Sequence, residues 1–106
     1  MTKQEAFRHI MEKGTIGARQ LAVRIGSTNS MADLDRIHVG KVSKRLKILS
    51  CFISSGILVD ARYGKPCLFG RVFSWDDVDL IGENLRKELI TPEQAKGLIM
   101  KMKPNS

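Results

Sequence analysis

Over most of the chain, apolar residues recur at spacings of three and four, the pattern of helices that bury one face. Ala6, Phe7, Ile10 and Met11 form the first stripe; Thr2 and Glu5 stand at capping-box spacing before it, and Gly14 is a stop. Ala18, Leu21, Ala22 and Ile25 form a second stripe, closed by Gly26. Between them Thr15-Ile16-Gly17 has room for only one or two residues of an extra strand. Ser30 and Asp33 can cap a short connecting helix that turns Met31, Leu34 and Ile37 inward. Val42, Leu46, Leu49, Phe52 and Ile53 then mark a helix over about 41–55, with Lys41, Ser43, Lys44, Arg45 and Lys47 on or beside its other face. Gly56 ends that helix, and the β-rich run from Ile57 to Tyr63 can pair with Cys67 to Phe73 across a turn at Gly64-Lys65-Pro66. Ser74 opens a helix striped by Val78, Ile81, Leu85 and Leu89. Thr91, Pro92 and Gln94 open the last, with Ala95, Leu98, Ile99 and Met102 facing one way. The pattern predicts a mainly α fold with a small antiparallel β-hairpin.

Charge is the first feature to narrow the function. The 106 residues suit one modest core, and a net charge of +7 makes a polyanion the leading partner. Seven of the basic residues (41, 44, 45, 47, 62, 65, 71) fall between 41 and 73 against one acid, Asp60. Five acids (76, 77, 79, 83, 88) follow on the next helix, whose outer face should avoid phosphates.

Enzyme chemistry finds little to stand on. Cys51 and Cys67 are solitary, without a CxxC pair or histidines at metal spacing, so neither a zinc site nor a cofactor is expected. Asp76 and Asp77 are neighbours that a helix points about 100° apart, which suits a capped first turn better than an acid/base pair. His9 and His38 have no partners at useful spacing. No apolar run approaches the roughly eighteen residues of a membrane span, and the first residues lack a signal-peptide core, so a cytoplasmic protein is expected.

In order and composition, QLAVRIG, VSKRLKILSCFISSGILV and the hairpin around ARYGKPCLF resemble the winged helix-turn-helix superfamily of DNA-binding domains. The resemblance covers roughly residues 3 to 75. It implies a DNA-binding domain over 1–75; the two C-terminal helices over 76–106 pack on it, either as a dimerisation element or as a cap on the core of one copy. It also implies that Lys41, Ser43, Lys44 and Lys47 lie along the major groove with Arg45 near its edge. Arg62 and Lys65 would reach the backbone or minor groove from the wing (about 57–73), Tyr63 would add a phosphate hydrogen bond, and Arg19 and Arg24 would be further phosphate contacts. Fourteen residues separate Gly26 from Lys41, which leaves open whether 30–38 or 41–55 is the recognition helix.

The expected function is sequence-specific binding of double-stranded DNA by a transcription regulator, as a homodimer that doubles the contacts of one domain. The alternative is a winged-helix adaptor or inhibitor that meets a protein of a nucleic-acid machine through its C-terminal helices. RNA binding is disfavoured, since six aromatic residues show no ladder on which single strands would stack.

Overall fold

The computed structural model describes the backbone of residues 1–28 and 32–103 and the side chains of 1–26 and 42–103. The expected cap at Ser30, the inward Met31, Leu34 and Ile37, His38, and the side chain of Lys41 lie outside the described residues. The elements run α1 (Lys3–Lys13), α2 (Ile16–Thr28), α3 (Ala32–Ser54), β1 (Val59–Arg62), β2 (Lys65–Leu68), β3 (Arg71–Val72), α4 (Trp75–Arg86) and α5 (Pro92–Lys101).

The expected caps form. Thr2 and Glu5 satisfy each other's backbone donors at the start of α1, Thr91 and Gln94 do the same for α5, and Ser74 accepts from the Asp77 amide at the start of α4. Two boundaries differ from expectation. Thr15 joins no strand; its Oγ1 accepts from the Ala18 amide, capping α2, and donates to the Val59 carbonyl, tying the start of α2 to β1. Gly26 does not stop α2, which continues to Thr28. Only residues 29–31 therefore separate α2 from α3, and the two stretches considered for the recognition helix belong largely to one 23-residue helix.

The core is built around α3, on which α1, α2 and α4 all pack. Val42, Leu46, Leu49 and Phe52 are buried as the periodicity requires, but Ile48 and Ser50 are buried too, so more than one face is covered. Each buried apolar side chain contributes about 1.5–3 kcal/mol, and among the described residues no other element places as many of them in the core as this half of α3. Ser50 is the polar member of the core, and His9 of α1 meets its hydroxyl at 2.6 Å, which satisfies an otherwise stranded group. At the exit Ile57 N–H bonds Phe52 C=O and Gly56 N–H bonds Ile53 C=O, the two bonds of a Schellman motif.

The second β run is broken by a turn, so the expected hairpin becomes a three-stranded antiparallel meander, β1-β2-β3. The first turn lies at Tyr63-Gly64, one residue earlier than Gly64-Lys65-Pro66, and Arg62 faces Lys65 across it. The second lies at Phe69-Gly70 between Leu68 and Arg71. All four central residues have positive φ (56° and 74°, 52° and 79°), which makes both loops type I′ turns that match strand twist. Pro66 is a buried strand residue: Phe73 N–H reaches its carbonyl, but no return donor exists, and β3 stops at Val72.

Val78, Ile81 and Leu85 of α4 and Ala95 and Ile99 of α5 join the same core as α1–α3. Leu89 does not: α4 ends at Arg86, Glu88 takes φ of 61°, and Leu89 is 69% exposed. Leu98 and Met11, also expected inward, lie on exposed shoulders of their helices.

Candidate nucleic-acid interface

The basic residues expected to act together fall into two groups. The first belongs to α3 and faces α4. Arg45 is 21% exposed; its guanidinium donates to Asp79 at 3.2 Å from Nη2 and 3.4 Å from Nε, and its carbon lies 4.6 Å from the centre of the Trp75 ring. Both a carboxylate and an aromatic face hold Arg45 in the α3–α4 interface, so much of its donor capacity is spent within the fold. Lys44 is half-buried and its charge acts on Glu83 of α4. The hydrogen bond from Arg86 holds the Glu83 carboxyl below its usual range, aided by Arg86, Lys44 and Lys87 charges; the same bond raises Arg86. Asp79 and Glu83 of α4, a helix expected only to be opposite in sign and to avoid phosphates, thus neutralise part of the basic unit. Ser43 and Lys47 are half-buried. Lys47 lines a cavity of about 370 Å³ with Ser50, Cys51, Ser54 and Arg86.

The second group is open to solvent. Arg62 and Lys65 flank the first turn and are exposed, and Tyr63 at its tip is 94% exposed. Burial changes along the hairpin and not by strand alternation: Val59, Pro66, Cys67 and Leu68 lie in the interior, while Arg62 and Lys65 at the turn project beyond it. α2 packs along β1, and Arg24 Nη1 reaches the Gly64 carbonyl at 3.4 Å. Between them lies a cleft of about 270 Å³ lined by Gln20, Leu21, Arg24, Ala61, Tyr63 and Gly64. Gln20 was not among the residues expected here. Its signal was the i, i+4 spacing to Arg24, which puts both on one helix face. Arg19 is exposed, but its Nε donates to the Gly14 carbonyl and fixes the corner between α1 and α2.

Neither cysteine offers reactive chemistry. Burial pushes the Cys51 thiol up, and Cys67 is buried in β2. His9 and Ser50 approach each other, yet Ser50 is fully buried, so the pair joins α1 to α3 and presents no nucleophile. Among the described residues there is no cluster of His, Cys, Asp or Glu that could hold a metal ion, and no helix long and apolar enough to cross a membrane. Comparison with protein-family models, curated proteins and solved structures returns no match.

Proposed function

We propose that the chain is a sequence-specific double-stranded DNA-binding protein of the winged helix-turn-helix kind, acting as a cytoplasmic transcription regulator. The basic stretch of α3 within the expected recognition helix (about 41–55) lies in the major groove, and the β1–β2 hairpin reaches the backbone or minor groove. The observation that carries this reading is the cationic hairpin tip, Arg62, Tyr63 and Lys65, held against α2 by Arg24. The short connection between α2 and α3, and the hairpin that follows α3, add the element order such a domain needs. Arg45 is not part of the contact surface in this proposal.

Binding should be electrostatic in large part and therefore salt-dependent. The test is anisotropy of labelled genomic DNA fragments titrated with the chain at increasing salt. A steep fall of affinity with salt, followed by enrichment of one sequence in a binding selection, is expected. No binding at low salt, or affinity indifferent to salt, would reject the proposal.

A second reading is favoured by Leu80, Leu89, Leu98 and Met100, which are exposed on or next to α4 and α5. In that reading the C-terminal helices meet a protein, either a second copy that makes a homodimer or a component of a nucleic-acid machine. Size measurement separates the homodimer from the monomer, and a stoichiometric partner that survives nuclease treatment supports the adaptor.

A further inference from the structure

The meander contains the same local structure twice. Each turn is type I′, and each places an aromatic residue at the first central position, followed by glycine: Tyr63-Gly64 and Phe69-Gly70. Positive φ at that first position is most easily adopted by Asn, Asp or Gly, and a bulky side chain there is strained. For Phe69 the fold supplies compensation, because its ring packs against the hydrophobic core. For Tyr63 it does not. Tyr63 is 94% exposed and forms no part of the core, so burial does not offset the strain.

A strained conformation with no intramolecular return points outward, to a partner. The chemistry around the ring says which. Arg62 and Lys65 flank it, and Arg24 lies so close to Gly64 that a methyl group there would collide with the guanidinium. The one acid of the hairpin, Asp60, is half-buried and accepts from the Ala61 amide. A planar aromatic surface surrounded by cations fits a partner that offers flat rings joined by anions, which is a nucleic acid; an apolar peptide or a sugar would not call for the cations.

We propose that Tyr63 is a base-stacking residue. Its ring enters the minor groove and lies against a base-pair step, while Arg62, Lys65 and Arg24 hold the phosphates on either side. This rests on the DNA-binding reading above and replaces the phosphate hydrogen bond expected of the Tyr63 hydroxyl. A ring wedged at a base step also opens it and bends the duplex, which makes the tip sensitive to how easily the sequence deforms.

The test compares the wild-type chain with Tyr63→Phe and Tyr63→Asn on a 30-base-pair mixed-sequence duplex, with a bending assay on a longer fragment. Asn is a preferred residue for this turn, so Tyr63→Asn should melt at the same temperature as the wild type or higher. Stacking predicts that Tyr63→Phe binds within about twofold of wild type, whereas Tyr63→Asn loses about tenfold and bends the fragment less. Wild-type affinity in Tyr63→Asn would overturn the stacking role. So would an equal loss in Tyr63→Phe, which would assign the effect to the hydroxyl. If the wild-type chain itself fails to bind the duplex, the DNA-binding reading fails, and the stacking role with it.

Discussion

Beyond Val42, α3 carries three basic residues and the tip of the β1–β2 hairpin two, and the fold treats them in opposite ways. On α3 the bases are drawn into the interface with α4: Arg45 is held by Asp79 and Trp75, and Lys44 faces the Glu83 cluster. On the hairpin, Arg62 and Lys65 stand in solvent beside an exposed ring. A desolvated and paired charge serves the fold, because removing its partner strands the other member. A solvated charge serves the fold hardly at all, and remains available to a polyanion. Substitutions in the two regions should therefore separate into effects on stability and effects on binding.

The largest loss of stability is expected where α3 and α4 come closest. A methyl group on Gly82 would lie 2.2 Å from Ile48 Cγ2, and both positions are buried. Gly82→Ala should destabilise by about 1–3 kcal/mol in chemical denaturation, as overpacking does. In an Ile48→Ala background, which lacks Cγ1 and Cγ2, the cost of Gly82→Ala should shrink; an unchanged cost would show that the contact is not the cause.

Next comes the ion pair in the same interface. Arg45→Met keeps much of the side-chain volume but leaves Asp79 half-buried without its partner, and should cost about 1–2 kcal/mol. Adding Asp79→Asn should return part of that. Duplex affinity corrected for folded fraction should not change, and a loss of affinity without a loss of stability would move Arg45 into the contact surface.

Glu83 gives a smaller effect with a distinct pH signature. Its carboxyl is held below the ordinary glutamate value of 4.5, chiefly by the hydrogen bond from Arg86. A depressed folded-state value means the stabilisation is fully present above the unfolded value and is lost as pH falls through the folded one. Glu83→Gln should therefore be less stable than wild type at neutral pH, by about 0.2–1 kcal/mol given the solvent screening of such pairs. The two melting temperatures should converge in acid, below the ordinary carboxylate range. A difference that persists unchanged at the lowest pH would mean that the amide disturbs packing and not charge.

The parts of this architecture that the sequence announces are those fixed by local chemistry. Thr2 with Glu5, Ser74 with Asp77, and Thr91 with Gln94 cap helices through bonds spanning three residues, so neighbours in the chain decide them. Features decided by distant contacts were not visible. Gly26 marks a stop in any local reading, yet α2 continues through it. Pro66 suggests a turn until β1 and Phe73 flank it within β2, and Phe69 conceals a second turn because aromatic residues rarely occupy one. The division of the basic residues was hidden for the same reason. Nothing within Lys44-Arg45 reveals that Asp79 and Glu83, more than thirty residues away, will meet them.

The smallest expected effect on the fold carries the most information about function. Arg62→Ala with Lys65→Ala removes two exposed side chains that make no ion pair among the described residues, and should change stability by no more than about 0.5 kcal/mol. If both contact phosphates, the slope of log affinity against log salt should become shallower by about 1.8, from roughly 0.9 for each contact. Lys44→Ala with Lys47→Ala is the matching variant on α3. It removes the same formal charge from half-buried positions, one of them beside Glu83, so its slope should change less while its stability changes more. Charge alone would give equal slopes, because the two variants have the same net charge. A larger slope change for the α3 pair than for the hairpin pair would reverse the assignment: the helix would then be the phosphate-holding surface, and the exposed tip would be an ordinary solvated turn.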